Sequence, residues 1–313
     1  MKVKLSFLAL LAVALIVLFL FIHLGPNWDY ALPRRLKKVL AIAITGGAIA
    51  YATLIFQTIT NNRILTPSVI GLDSLYMLIQ TFVIYVFGSM SLPSTNKQLN
   101  FFITVGLMIA FVGVLYKLLF KREGRNLYFL LLIGLVLGTL FGSMSTFMQV
   151  LIDPNEFLIV QGRMFASFNN VNTDLLVISI IIIALVAAYS TRLGKYLDVM
   201  SLGKEHAVNL GIPYDYIVKR MLVIVAILIA VSTALVGPIT FLGLLVVNVA
   251  YQFMRTYRHS ILIPGAILIS IIALVGGQLI VERVFAFETT VSVIINFIGG
   301  AYFLYLLLRE KKA

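Results

Sequence analysis

The chain has no cysteine among its 313 residues. That absence excludes a disulfide framework, a thiolate metal site and a cysteine nucleophile. Charge is scarce too: Asp, Glu, Lys and Arg fill 12% of positions, where a soluble domain carries about a quarter. The three histidines, His23, His206 and His259, lie far apart, and none belongs to a ligand-spaced cluster such as His-Glu-x-x-His. There is no Gly-x-Ser-x-Gly elbow and no Gly-x-x-x-x-Gly-Lys loop. Hydrolase chemistry and P-loop nucleotide binding therefore have no residues to work with.

What is present is apolar. Hydrophobic residues make up 61% of the chain and the mean hydropathy is +1.06. A bilayer core takes about 20 apolar residues per helix. Apolar runs lie near 5–24, 37–60, 68–88, 100–119, 127–150, 173–191, 217–236, 240–254, 262–282 and 293–308. They predict an all-α integral membrane protein of about ten spans, the eighth too short for a full crossing, forming one domain over 1–313. The first run follows Lys2 and Lys4 like a signal peptide. It is longer than a signal core and no small-x-small cleavage site follows, so it is expected to be a retained helix.

The net charge of +12 is explained by placement, without nucleic acid. With an even number of spans and both termini inside, one face collects Lys117, Lys121, Arg122, Arg125, Arg192, Lys195, Lys204, Lys219, Arg220, Arg255, Arg258, Arg309, Lys311 and Lys312. That is the positive-inside bias. Arg34, Arg35, Lys37 and Lys38 break it, which suggests an acidic partner on the outer face.

Ionisable residues are nearly absent within the spans. Asp73, Asp174, Glu282 and Glu288 read as edge residues, so the mid-membrane acids of ion-coupled carriers are missing. Gly134, Gly138 and Gly142 make two small-xxx-small steps that favour close helix packing. Gln57, Ser143, Thr146, Gln149 and Asn248 suit either a polar path or interhelical hydrogen bonds.

The longest polar interruption, 192–216, contains Ser201-Leu-Gly-Lys-Glu-His-Ala-Val-Asn-Leu-Gly211. On a helical wheel Leu202, Gly203, His206, Ala207 and Leu210 share one side, opposite Lys204, Glu205 and Asn209, with Val208 the exception. A short amphipathic helix between two spans is suited to gripping a soluble partner.

From about Leu32 to Leu308 the chain resembles the FecCD-type permease subunits of ATP-driven importers for iron–siderophores, haem and cobalamin. The matching residues are Pro33-Arg34; Gln57, Asn62, Ile64, Pro67 and Gly71; the Leu202–Gly211 segment, with Lys204 inserted before Glu205; and Gly237-Pro-Ile-Thr-Phe-Leu-Gly-Leu244. The resemblance implies a permease dimer, two cytoplasmic ATPases that bind the ATP and magnesium, and an external solute-binding protein. This chain itself would bind no cofactor or metal and catalyse no reaction. By the same resemblance Leu202, Gly203, Glu205, Ala207, Leu210 and Gly211 are the ATPase-coupling residues, and Arg34 and Arg35 dock the binding protein. Gly237, Pro238, Phe241 and Gly243 shape a re-entrant turn. Gln57, Gln149 and Arg163 are candidates for solute contact. The expected activity is import of a ferric siderophore across a bacterial cytoplasmic membrane; haem, cobalamin and an ATPase-independent carrier are the alternatives.

Several family positions are changed. Arg63 stands where proline is usual, Val247-Asn248 replaces Pro-His, Gly277-Gln278 replaces an aspartate, and Glu288-Thr-Thr-Val-Ser292 replaces Glu-x-Pro-x-Gly. Gly299-Gly-Ala301-Tyr-Phe303 replaces Gly-x-Pro-x-Phe. These departures suggest the divergent half of a heterodimer.

Overall fold

The computed structural model describes residues 1–23, 27–119, 127–169 and 171–310. Lys121, Arg122, Arg125, Lys311 and Lys312 of the expected inside cluster lie outside the described residues. In chain order the elements are α1 (Lys2–Phe21), α2 (Trp28–Thr60), a 3-10 turn (Pro67–Ile70), α3 (Leu72–Phe87), α4 (Leu92–Thr95), α5 (Lys97–Leu119), α6 (Leu127–Leu151) and α7 (Pro154–Met164). They continue with α8 (Thr173–Met200), α9 (Lys204–Asn209), α10 (Tyr214–Val236), α11 (Leu242–Met254), α12 (His259–Arg283) and α13 (Val291–Glu310).

Eight of these helices are long and apolar enough to cross a membrane, and α3 and α11 are shorter apolar helices. All ten apolar runs are therefore helical, and the shortness expected of the eighth is seen in α11. The third differs from expectation. Pro67 opens a 3-10 turn and Gly71 adopts φ +86°, so regular helix begins only at Leu72 and runs 16 residues, about 24 Å. The continuous apolar run at 68–88 concealed that break.

The chain buries α2 and α10 most deeply, with α2 packed on α12, α10, α11 and α8. Side-chain bonds define two ends. At the end called lower, Lys4 Nζ donates to Phe253 O at 2.7 Å and Tyr214 Oη donates to Ile59 O at 3.2 Å. At the upper end, Lys38 pairs with Glu282 at 2.7 Å and Lys37 Nζ donates to Thr173 Oγ1 at 3.0 Å. At 33 residues α2 is about 50 Å long, against a hydrocarbon core of about 30 Å. Its first turns, which carry the basic cluster, therefore extend beyond the membrane. The 28 residues of α8 likewise carry the chain past the core at the lower end.

Candidate functional site

At the lower end, α9 is only six residues, bracketed by Gly203 at φ +95° and Gly211 at φ +79°. Both glycines occupy the region that side-chain-bearing residues avoid. Ala207 is buried, while Leu202, Val208 and Leu210 are 56%, 50% and 64% exposed. The wheel had set Val208 apart from the other apolar residues, but with so short a helix Leu202 and Leu210 lie outside it. The result is still an apolar, outward-facing patch, edged by exposed Lys204 and Glu205.

This patch is fastened to the bundle. Asp198, three residues before Ser201, accepts from His259 N at 2.8 Å and from His259 Nδ1 at 2.6 Å. An ionised carboxylate can only accept, so Nδ1 carries a proton. His259 Nε2 lies 2.7 Å from Thr58 Oγ1. One buried imidazole thus joins the end of α8, the start of α12 and the last turns of α2. The separation of 61 positions between Asp198 and His259 left this clasp unmarked by any local motif.

In the middle of the bundle the two short helices begin against each other. Gly237 sits at φ +101°, and a Cβ there would lie 2.9 Å from Ala166 Cα. At Gly243 a Cβ would lie 2.9 Å from Thr53 Cβ. Pro238 follows the end of α10, and the Phe241 backbone N–H donates to Asn296 Oδ1 at 3.2 Å while its ring meets Phe303. These contacts let α11 start inside the protein, where irregular backbone is tolerated only when it is enclosed. Thr53, Thr66, Ser68, Asp73, Thr233 and Thr240 line a small cavity between the starts of α3 and α11. Asp73 lies beside Ser68 and Thr240 in this lining, and its Oδ2 is buried without a partner among the described residues. The sequence reading set Asp73 at a span edge. The late start of α3 instead puts it in the interior.

Gln57 belongs to the same interior. It is 2% exposed and donates from Nε2 to Arg63 O at 2.7 Å. Asn248 Nδ2 donates to that same carbonyl at 3.0 Å. The Arg63 guanidinium lies 4.6 Å from the Tyr251 ring centroid. Gln57 therefore secures the irregular segment after α2. Gly134 and Gly138 press against Ile70 and Gly71, which explains two of the three glycines singled out on α6; a Cβ at Gly142 would meet nothing within 4 Å among the described residues of other elements.

Gln149 is half-buried and donates to Ser145 Oγ at 2.9 Å, linking α6 toward Thr81 of α3. Thr139, Ser143 and Thr146 are exposed along one face of α6. At the upper end Arg163 donates from Nη1 to Gln80 Oε1 at 2.7 Å and from Nη2 to Ser94 O and Oγ at 3.1 Å. Burial pulls its pKa below the ordinary guanidinium value, and it remains charged. These bonds brace α7 against α3 and α4.

Arg34 and Arg35 separate in the structure. Arg35 Nη1 donates to the carbonyls of Phe19, Leu20 and Ile22, at 3.2, 2.9 and 2.7 Å, capping the end of α1. Arg34 is exposed and lines a groove of about 690 Å³ with Asp29, Lys37, Lys38, Lys97 and Asn172. The sequence reading missed Lys97, whose position at the start of the fourth span was its only signal.

The description of the FecCD transport family matches residues 26–309. A petrobactin import system permease protein of Bacillus subtilis (strain 168), YclO, is 65% identical over 312 residues, covering 100% of this chain and 99% of that protein. The petrobactin import system permease protein FatC of Bacillus anthracis is 38% identical over 287 residues, covering 92% and 81%. A solved structure of a metal-chelate type ABC transporter in an inward-facing conformation superposes with a TM-score of 0.85 at 21% identity, covering 98% and 99% of the two chains.

Proposed function

The chain belongs to the FecCD transport family, and on that premise we propose that it is the permease of an ATP-driven importer that carries a ferric siderophore of the petrobactin kind inward. The 65% identity along the whole length to a petrobactin import permease carries the substrate class. The chain is a multi-pass membrane protein with eight helices long enough to span, and the lower end is the cytoplasmic one. One of the two partner ATPases docks at the apolar patch of Leu202, Val208 and Leu210, beside Glu205, and ATP and magnesium belong to the ATPases. Gly203, Ala207 and Gly211 hold the patch in shape.

At the outer end a binding protein delivers solute. Arg34, Lys37 and Lys97 offer the cations that an acidic lobe would meet, while Arg35 secures the helix that presents them. The path runs along the exposed hydroxyl face of α6, with Gln149 and Arg163 bracing its outer half. Gln57 acts from behind, fixing the segment between α2 and α3 rather than touching solute. The junction at Gly237, Pro238, Phe241 and Gly243 lets two half-length helices end inside the protein.

The test is uptake of radio-iron presented as ferric petrobactin by cells lacking the chromosomal copy. Uptake restored by this chain is expected. Restoration of haem or cobalamin uptake without petrobactin uptake would replace the substrate assignment.

A further inference from the structure

A groove of about 460 Å³ runs between α8 and α10 in the lower half of the bundle, within the roughly 300–1,000 Å³ typical of small-molecule sites. Its shaft is wholly apolar, formed by Leu185, Val223, Ile224 and Ile227. Its mouth carries Tyr189, Tyr216, Lys219 and Arg220. Leu185, Tyr189 and Tyr216 are 66%, 40% and 49% exposed, and α8 turns most of its span away from the bundle. The groove therefore faces what surrounds the bundle, which along a span is lipid.

Polarity is graded in the way an amphiphile requires. Arg220 and Ile227 are seven residues apart on α10, about 10 Å along the helix axis, so the shaft descends from the headgroup level into the acyl region. Among the described residues no carboxylate lines the groove. The nearby acids are engaged elsewhere: Asp215 with Lys204 at 3.3 Å and Asp198 with His259. Arg220 is held in place, its Nη1 donating to Tyr189 Oη at 2.5 Å and its guanidinium 4.2 Å from the Tyr216 ring centroid. Arginine has five N–H donors in a fork that matches a phosphate, so this bond leaves donors for a headgroup.

We propose that this groove binds one anionic phospholipid, its acyl chain along Leu185, Val223 and Ile227 and its phosphate at Lys219 and Arg220. The proposal rests on the orientation given above, which puts the mouth in the cytoplasmic leaflet, where anionic lipid attracts basic residues. Bound there, the lipid ties α8 to α10, the two helices that enter and leave the coupling segment.

The complex is reconstituted in nanodiscs of phosphatidylcholine doped with phosphatidylglycerol. The lipid kept through a delipidating detergent wash is then read on the permease chain by native mass spectrometry. Phosphatidylglycerol is expected to be retained in preference to phosphatidylcholine. Arg220→Gln should lower that retention about fivefold, the equivalent of about 1 kcal/mol for one basic side chain at a membrane surface. Arg220→Lys should keep most of it. Val223→Trp, which fills the shaft from a partly exposed position, should abolish retention; ATPase co-purification reports that each variant is folded. Equal retention of both lipids, or wild-type phosphatidylglycerol retention in both Arg220→Gln and Val223→Trp, overturns the proposal. Because lipid is read on the permease itself, a wild-type chain isolated without ATPases would count against the importer assembly and leave the lipid result standing.

Discussion

At the scale of single residues, the decisive groups are polar ones with burial and several partners. Asp198 supplies one oxygen to two donors of His259, a backbone N–H at a helix start and a ring N–H. Losing a charged acceptor and orphaning a buried donor costs about 1–3 kcal/mol, and the half-exposed Asp198 places the loss toward the lower end. Asp198→Ala is therefore expected to destabilise the chain by about 1–2 kcal/mol in a denaturant titration of the detergent-solubilised protein. Asp198→Asn, which keeps an acceptor oxygen for the backbone N–H, should cost less; equal losses in the two would mean that an amide oxygen cannot stand in for the carboxylate, and wild-type stability of Asp198→Ala would mean that the clasp carries no stability. None of this was legible in the sequence, where His259 was an isolated histidine and nothing singled out Asp198. The same holds for Arg63 and Asn248. Each reads alone as a lost family residue, yet Asn248 Nδ2 donates to the Arg63 backbone carbonyl at 3.0 Å, so Asn248 has a structural role of its own. What sequence did show at this scale was glycine, because a positive φ at Gly71 or Gly237 leaves few other choices.

Among the elements, the two short helices and α9 carry the mechanism. The shortness of α11 could be read from Gly237-Pro238, a helix breaker followed by close-packing glycines. That of α3 could not, since Pro67 and Gly71 interrupt a run that stays apolar on both sides. The helix expected in the 201–211 segment is present as α9, but the wheel overextended it, because the residues that face outward belong to the turns around α9 as well as to the helix itself. The proposed coupling role needs an exposed apolar patch joined to the bundle, and Ala207, Tyr214 and the Asp198–His259 clasp supply that join. Glu205→Arg reverses charge at the edge of that patch without touching any of these anchors. It is expected to weaken ATPase association and to lower uptake, since a like-charge contact at an interface costs several kcal/mol, while leaving the permease fully folded. Co-purification of the ATPases at wild-type yield, with wild-type uptake, would mean that the coupling surface lies elsewhere.

For the whole molecule, the question is what covers the faces this chain leaves open. α6 and α13 are among its least buried spans, and α6 presents Thr139, Ser143 and Thr146 outward, the first two donating to carbonyls of their own helix. A second permease across that face would enclose a path between the two chains. Several departures from the family pattern are already answered within this chain. Asn248 donates to the Arg63 backbone carbonyl, Gln278 donates to Glu282 at 2.9 Å, and Ser292 Oγ donates to Ala166 O at 3.3 Å. The one at Ala301 is exposed, so nothing among the described residues compensates for it. A partner that differs from this chain could, by presenting the complementary change. Purification of the tagged chain from its native membrane in mild detergent, followed by mass spectrometry, should therefore recover ATPase together with a related but distinct permease. A transport-competent complex containing only this permease would show that two identical copies close the path, and that the change at Ala301 is accommodated across a two-fold axis.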